Sequence, residues 1–162
     1  YRHPRALPVV FRRQRQMCIR DRAGTNPSVL PDFSGLTPIS TGEMLQINLA
    51  STGGAFGTSG LSDDVGAVFT SMIDFPEAGV WTLYTESDDG SKLLVDGTLV
   101  VDNDGLHGMV EVGGTIEVTE PGPMAVRVEF FERGGGAGLI VRWEGPGVAK
   151  AVVPSSAWRP AG

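Results

Sequence analysis

Apolar and polar residues alternate along most of this chain with a period of two. In Val65–Phe75, VGAVFTSMIDF, the set Ala67, Phe69, Ser71, Ile73 and Phe75 falls on one face, and that period predicts a strand. Glu43–Ala50, EMLQINLA, alternates in the same way and reads as the first strand. Further strands are expected over Val80–Thr85, Lys92–Asp96, Thr98–Asp102, Thr115–Val118, Ala125–Phe131, Leu139–Trp143 and Val148–Val153. Between them lie turn signals. Pro76-Glu77-Ala78-Gly79 and Pro121-Gly122-Pro123 supply the residues that turn geometry wants. Asp96-Gly97 sits between alternating apolar residues, a strong signature of a two-residue hairpin. No helical period of useful length competes. The class is therefore all-β, with an antiparallel two-sheet β-sandwich or a barrel as the candidate architectures.

Composition supports one domain of ordinary size: 162 residues, with 23 Gly and 11 Pro to serve the turns. Residues 42–158 carry the strand pattern. Residues 23–41 are rich in Pro, Ser and Gly and read as a lead-in or linker to other domains of a parent protein. Residues 1–22 stand apart as a basic arm with no clear period. Its run Arg13–Arg22, RQRQMCIRDR, resembles translated sequencing-adapter remnants, and a genuine basic tail is the alternative. The arm holds seven Arg and one acid, which leaves six Lys plus Arg against eighteen acids in residues 23–162. A body so acidic is a poor partner for nucleic acid, whose phosphates need clustered cations. No eighteen-residue apolar run occurs, so membrane insertion is not expected. No N-terminal stretch has the pattern of a signal peptide. Cys18, the single cysteine, lies in the arm, so the body has neither a disulfide framework nor thiol chemistry.

Two stretches carry a family resemblance. Phe75–Gly108, FPEAGVWTLYTESDDGSKLLVDGTLVVDNDGLHG, runs from a Pro/Gly turn through a strand into SDDGS, a second strand, DG, and a strand ending in an Asp/Asn/Gly/His loop. Pro121–Gly147, PGPMAVRVEFFERGGGAGLIVRWEGPG, gives a long strand, a glycine loop and a closing strand with Trp143. Together they resemble the PA14 domain over roughly residues 36–158. The resemblance implies a β-sandwich module of secreted or cell-surface proteins: toxins, glycosidases and adhesins. Several carbohydrate-binding members hold Ca²⁺ through two adjacent Asp residues joined by a cis peptide, and the ion takes sugar hydroxyls as ligands. Asp88-Asp89 matches that pair. The second calcium loop of those members corresponds to Glu132–Gly138, ERGGGAG. In fungal members an Asn of that loop and main-chain carbonyls complete the site. This loop has no Asn, so either Glu132 takes its place or the loop contributes carbonyls alone.

The residue chemistry is compatible with this and with a simpler alternative. Calcium takes six to eight oxygens from carboxylates, carbonyls and water. Consecutive carboxylates on a strand point to opposite faces, so serving one ion requires a kinked or cis backbone. Gly90, directly after the pair, permits such a backbone. Equally, Ser87-Asp88-Asp89-Gly90 has the composition of a plain turn whose carboxylates cap N–H groups. Asp102-Asn103-Asp104-Gly105 begins like an EF-hand, but the twelfth position is Gly113, where a bidentate Glu is needed. Asp102 and Asp104 are additional candidate ligands, or simply turn residues. His107 reads as a hydrogen-bonding residue, because no second histidine is near it. Arg133, Gly134, Gly135 and Gly136 form either a sugar-facing loop or a long hairpin connection. Trp81 and Trp143 belong to strand patterns and to the core, and Trp158 either docks the C-terminus or stacks on a sugar. No Ser-His-acid set, phosphate loop or HExxH motif is present, and an adjacent acid pair does not have a glycosidase's separation. The chain is therefore expected to be non-catalytic: a calcium-dependent, lectin-like accessory module for a glycan or polysaccharide, or else a structural or protein-interaction module with no ligand.

Overall fold

The computed structural model describes residues 17–21, 27–38, 40–57 and 59–161. It contains twelve strands: β1 Met17–Asp21, β2 Ser40–Gly42, β3 Asn48–Thr52, β4 Val65–Phe75, β5 Gly79–Asp88, β6 Ser91–Val95, β7 Thr98–Asn103, β8 Val110–Val118, β9 Gly122–Glu132, β10 Ala137–Gly145, β11 Val148–Val152 and β12 Trp158–Arg159. They form two sheets. One runs β2-β1-β4-β9-β6-β7, with β12 also on β4, and the other runs β11-β10-β5-β8, with β3 also on β10. Every pairing is antiparallel. The expected all-β sandwich is the observed fold.

The alternation of β4, β5, β6, β9 and β10 turns one side of each strand into the space between the sheets. Phe75, Trp81, Leu83, Leu93, Val128, Phe130, Leu139 and Val141 are buried there. Aromatic packing fills both ends. Trp81 lies 5.2 Å from Phe75 and 4.9 Å from Trp143, centroid to centroid, while Phe56 stacks on Phe130 at 4.3 Å. Trp158 is buried, and its indole N–H donates to the Val153 carbonyl. Between β6 and β7, Asp96 and Gly97 both take positive φ, 46° and 78°, as the two-residue hairpin requires.

Three elements differ from the sequence expectation. Glu43–Ala50 is not one strand. The chain leaves the first sheet after Gly42 and joins the second at Asn48, and Ile47 is buried in the crossing. β8 begins at Val110 rather than Thr115. Gly113 and Gly114 hide the strand from a propensity reading, yet Gly113 lies against the Tyr84 ring and Gly114 against the Val100 carbonyl, where no side chain fits. In the basic arm, whose sequence has no clear period, Met17–Asp21 pairs with β2 and β4. The rest of residues 1–22 lies outside the described residues.

Candidate functional site

Four connections between the sheets gather at one end of the sandwich. They are residues 53–64 between β3 and β4, 89–90 between β5 and β6, 104–109 between β7 and β8, and 133–136 between β9 and β10. The registers place their strand ends side by side: Val65 opposite Glu132, Asp88 opposite Gly138, Ala137 opposite Thr52, and Ser87 opposite Val110. All the acids of interest belong to this end, Asp104 as the first residue of the 104–109 connection and Asp102 just before it on β7.

Asp88 closes β5 and Asp89 starts the crossing to β6. The peptide bond between them is cis, the form that the resemblance implies. Gly90 follows because nothing larger fits: a Cβ there would stand 2.6 Å from the Phe131 ring and 2.8 Å from the Gly105 nitrogen. Asp88 is half-buried, and its Oδ2 accepts from the Ser51 hydroxyl at 2.9 Å. It also faces the glycine loop, since a Cβ on Gly136 would lie 2.8 Å from that oxygen. Asp89 is buried. Its Oδ1 accepts from the His107 N–H at 3.1 Å and its Oδ2 from the Arg133 N–H at 2.9 Å. Asp89 thus ties two of the four connections together.

Glu132, the last residue of β9, has no exposed surface. It shares a strand face with core Phe130 and so projects between the sheets. Neither carboxyl oxygen has a hydrogen-bond partner among the described residues. Burial, with repulsion from Asp63, Asp89, Asp88 and Asp64 added, pushes this carboxyl up to about 7. Asp64 has φ of 53° and its own buried, unpartnered Oδ1, and Asp63 accepts from the Gly135 N–H at 3.3 Å. Below the β5–β6 corner a buried polar set locks the two sheets. The Ser87 and Ser91 hydroxyls are 2.7 Å apart, Ser91 donates to Thr85, and the Asn103 amide donates to Ser87, Thr85 and Val110.

Residues 32–157 match the PA14 domain family. The chain belongs to that family. Solved structures agree in fold. An anti-sigma factor domain-containing protein superposes with a TM-score of 0.78 at 20% identity, over 93% of this chain and 48% of that one, so the present chain spans about half its length. The PA14 sugar-binding domain from an RTX adhesin superposes at 0.71 with 19% identity, over 90% of this chain and 97% of that one. The A domain of epithelial adhesin 9 from Candida glabrata, in complex with Galβ1-3GlcNAc, gives 0.66 with 8% identity, over 89% and 87%. No curated protein matches the sequence.

In this PA14 domain Asp88, Asp89, Arg133 and Gly136 meet at one mouth, with Gly134 and Gly135 exposed on the same loop and Glu132 beneath. Asp102 and Asp104 are engaged by other partners. Lys92 pairs with Asp104 at 2.9 Å and approaches Asp102 at 3.9 Å, while Asp104 Oδ1 accepts from the Leu30 and Gly105 N–H groups. The His107 ring nitrogens face the Gly108 and Asn103 carbonyls at 2.8 and 3.1 Å, a structural role. Sequence reasoning missed Asp63 and Asp64, which lie in a long loop with no pattern, and the Thr85–Ser87–Ser91–Asn103 set.

The mouth offers oxygen donors, the kind that a hard cation takes. Glu132 has two buried oxygens without a hydrogen-bond partner and feels the negative charge of four aspartates of the mouth, a burden that positive charge would relieve. Among the described residues, no three His, Cys, Asp or Glu side chains group as a metal cage. Asp88, Asp89 and Glu132 are therefore not a joint three-carboxylate cluster, because both Asp89 oxygens turn to N–H groups and Glu132 lies under the loop. A cation here would draw on the aspartates and on carbonyl or hydroxyl oxygens.

Proposed function

We propose that this PA14 domain is a non-catalytic carbohydrate-binding module of a larger extracellular or cell-surface protein, and that its glycan is held at a calcium ion at the four-connection end. Asp88 and Asp89 would hold the ion, with oxygens of the Arg133–Gly136 loop beside them and the Glu132 charge beneath. Calcium would supply open coordination positions for sugar hydroxyls. The observation that carries this reading is the buried Glu132 carboxyl, partnerless and surrounded by acids. A PA14 sugar-binding domain and a glycan-complexed adhesin domain of the same fold support it. One observation favours the alternative, a structural module with no ligand: both Asp89 oxygens already cap backbone N–H groups.

Thermal unfolding in millimolar calcium and in chelator separates the two, run beside Asp88→Ala/Asp89→Ala. Calcium at about 100 times its dissociation constant stabilises by roughly 2.7 kcal/mol. The expected result is a rise in Tm for the wild type and none for the double variant, followed by calcium-dependent retention on a glycan array. An unchanged wild-type Tm would leave the acids as turn residues and the module structural.

A further inference from the structure

A second cavity lies beside the mouth, on the outer face of the first sheet. Phe131 alternates with core Phe130 and so turns to that outer face, yet it has no exposed surface. Residues 27–36 lie over it. This lead-in is packed there and tied by the Leu30 N–H to Asp104 Oδ1 at 2.8 Å. Between that roof and a floor of Gly66 and Phe131 is a cavity of about 230 Å³, with Val29, Leu30, Phe33 and Leu36 on its walls. An apolar cavity of about 150 Å³ is enough for benzene, so this one has room for a single ring and a short arm.

The polar character of the cavity has one sign. Asp64 is the single charged residue in the lining, and its Oδ1 is buried without a hydrogen-bond partner among the described residues. Donors are scarce on the roof: Pro27 and Pro31 have no N–H, and the Leu30 N–H is taken by Asp104. Carbonyls and a carboxylate without matching donors suit an occupant that brings its own hydrogens, and the carboxylate suits one that brings positive charge. Asp63, next along the chain, adds to the field against an anion. Phe33 and Phe131 offer ring faces, which favours an aromatic body over an aliphatic one. We infer that this cavity binds a small amine cation with one aromatic ring, its ring among the apolar walls and its ammonium on Asp64. The site uses none of Asp88, Asp89 and residues 133–136, so it stands apart from the calcium–glycan reading.

The test is an NMR titration of the whole chain in chelator with 2-phenylethylamine, 2-phenylethanol, phenylacetate and n-butylamine. Wild type is expected to bind the aromatic amine at least about tenfold more tightly than each of the others. Asp64→Asn keeps the shape and a residue type that accepts the local φ of 53°. It is expected to lower the affinity for 2-phenylethylamine to that for 2-phenylethanol and to leave the latter unchanged. Leu36→Trp, on the half-buried wall, is expected to abolish binding of the ring-bearing probes. Binding of none of the probes to wild type overturns the inference. So do equal wild-type affinities for the amine and the alcohol, or a preference that survives Asp64→Asn. Tighter binding of N-acetyl-lysinamide than of 2-phenylethylamine would assign the cavity to a partner's lysine and likewise overturn it. Equal Tm values of wild type and Asp64→Asn check that the fold is unchanged.

Discussion

Replacing Glu132 with Gln keeps the shape of the side chain and removes its charge. The carboxyl titrates at 4.5 when unperturbed and at about 7 in the folded protein. At roughly 1.4 kcal/mol per pH unit that gap corresponds to about 3 kcal/mol, and solvent screening of the repulsion from exposed Asp63 and half-buried Asp64 and Asp88 lowers the expected effect to ~2 kcal/mol. The sign follows from proton counting. Below about pH 4.5 both folded and unfolded chains hold the proton, and Glu132 costs nothing. Between about 4.5 and 7 the unfolded chain releases it while the folded one keeps it, so stability falls as pH rises, and above about 7 the loss is complete. Urea unfolding in chelator at about pH 4.5, 6 and 8 would read this as a difference between the two proteins, since the acids remote from the mouth contribute equally to both. Near pH 4.5 the midpoints are expected to agree. Near pH 8 Glu132→Gln is expected to be the more stable by ~2 kcal/mol, a midpoint shift on the order of 1 M urea. A difference that does not change with pH, or one that favours the wild type at pH 8, would refute the argument that this carboxyl is buried without compensation. With calcium added, the wild type is expected to recover the deficit and the variant is not.

The glycines and the buried amide give three further expectations. Gly136→Ala puts a methyl group against the Ser51 hydroxyl and the Asp88 carboxylate, so the calcium-induced rise in Tm is expected to disappear, while stability in chelator falls by less than about 1 kcal/mol. Gly114→Ala drives a methyl into the Val100 carbonyl, where β7 and β8 close one side of the sandwich. Denaturant unfolding should show a loss of about 1–3 kcal/mol, whereas Gly108→Ala, with open space around it, should stay within ~0.5 kcal/mol. Asn103→Ala removes three hydrogen bonds from the buried polar set and is expected to cost ~1–3 kcal/mol in the same assay.

Strands whose apolar period was intact were legible from the sequence. Val65–Phe75 has the bounds that its alternation predicts, and Asp96-Gly97 turns where a hairpin signal places it. The failures have a common cause in tertiary structure. Gly113 and Gly114 belong to a strand because neighbours crowd them, which no local propensity registers. Glu43–Ala50 alternates across a point where the chain changes sheets, so a continuous pattern conceals a break. The same limit governs the site. Asp88 and Asp89 were visible through the motif around them. Asp63 and Asp64 were not, because their relation to Glu132 arises only when four connections fold to one end. The Glu132 burial itself was unreadable, since an acid after two phenylalanines resembles the end of any strand.

The placement of the three tryptophans toward the other end has a spectroscopic consequence. Trp81 is seven residues up β5 from Asp88, about 23 Å at the rise of a strand, and Trp143 pairs opposite Leu83, about 17 Å away. Trp158 lies opposite Ile73, toward the same far end of β4. All three indoles are buried. Their fluorescence will follow global unfolding faithfully and remain dark to events at the acidic mouth. An optical assay of ligand capture therefore needs a reporter introduced there, and an unchanged emission spectrum on adding sugar or metal would carry no information about either.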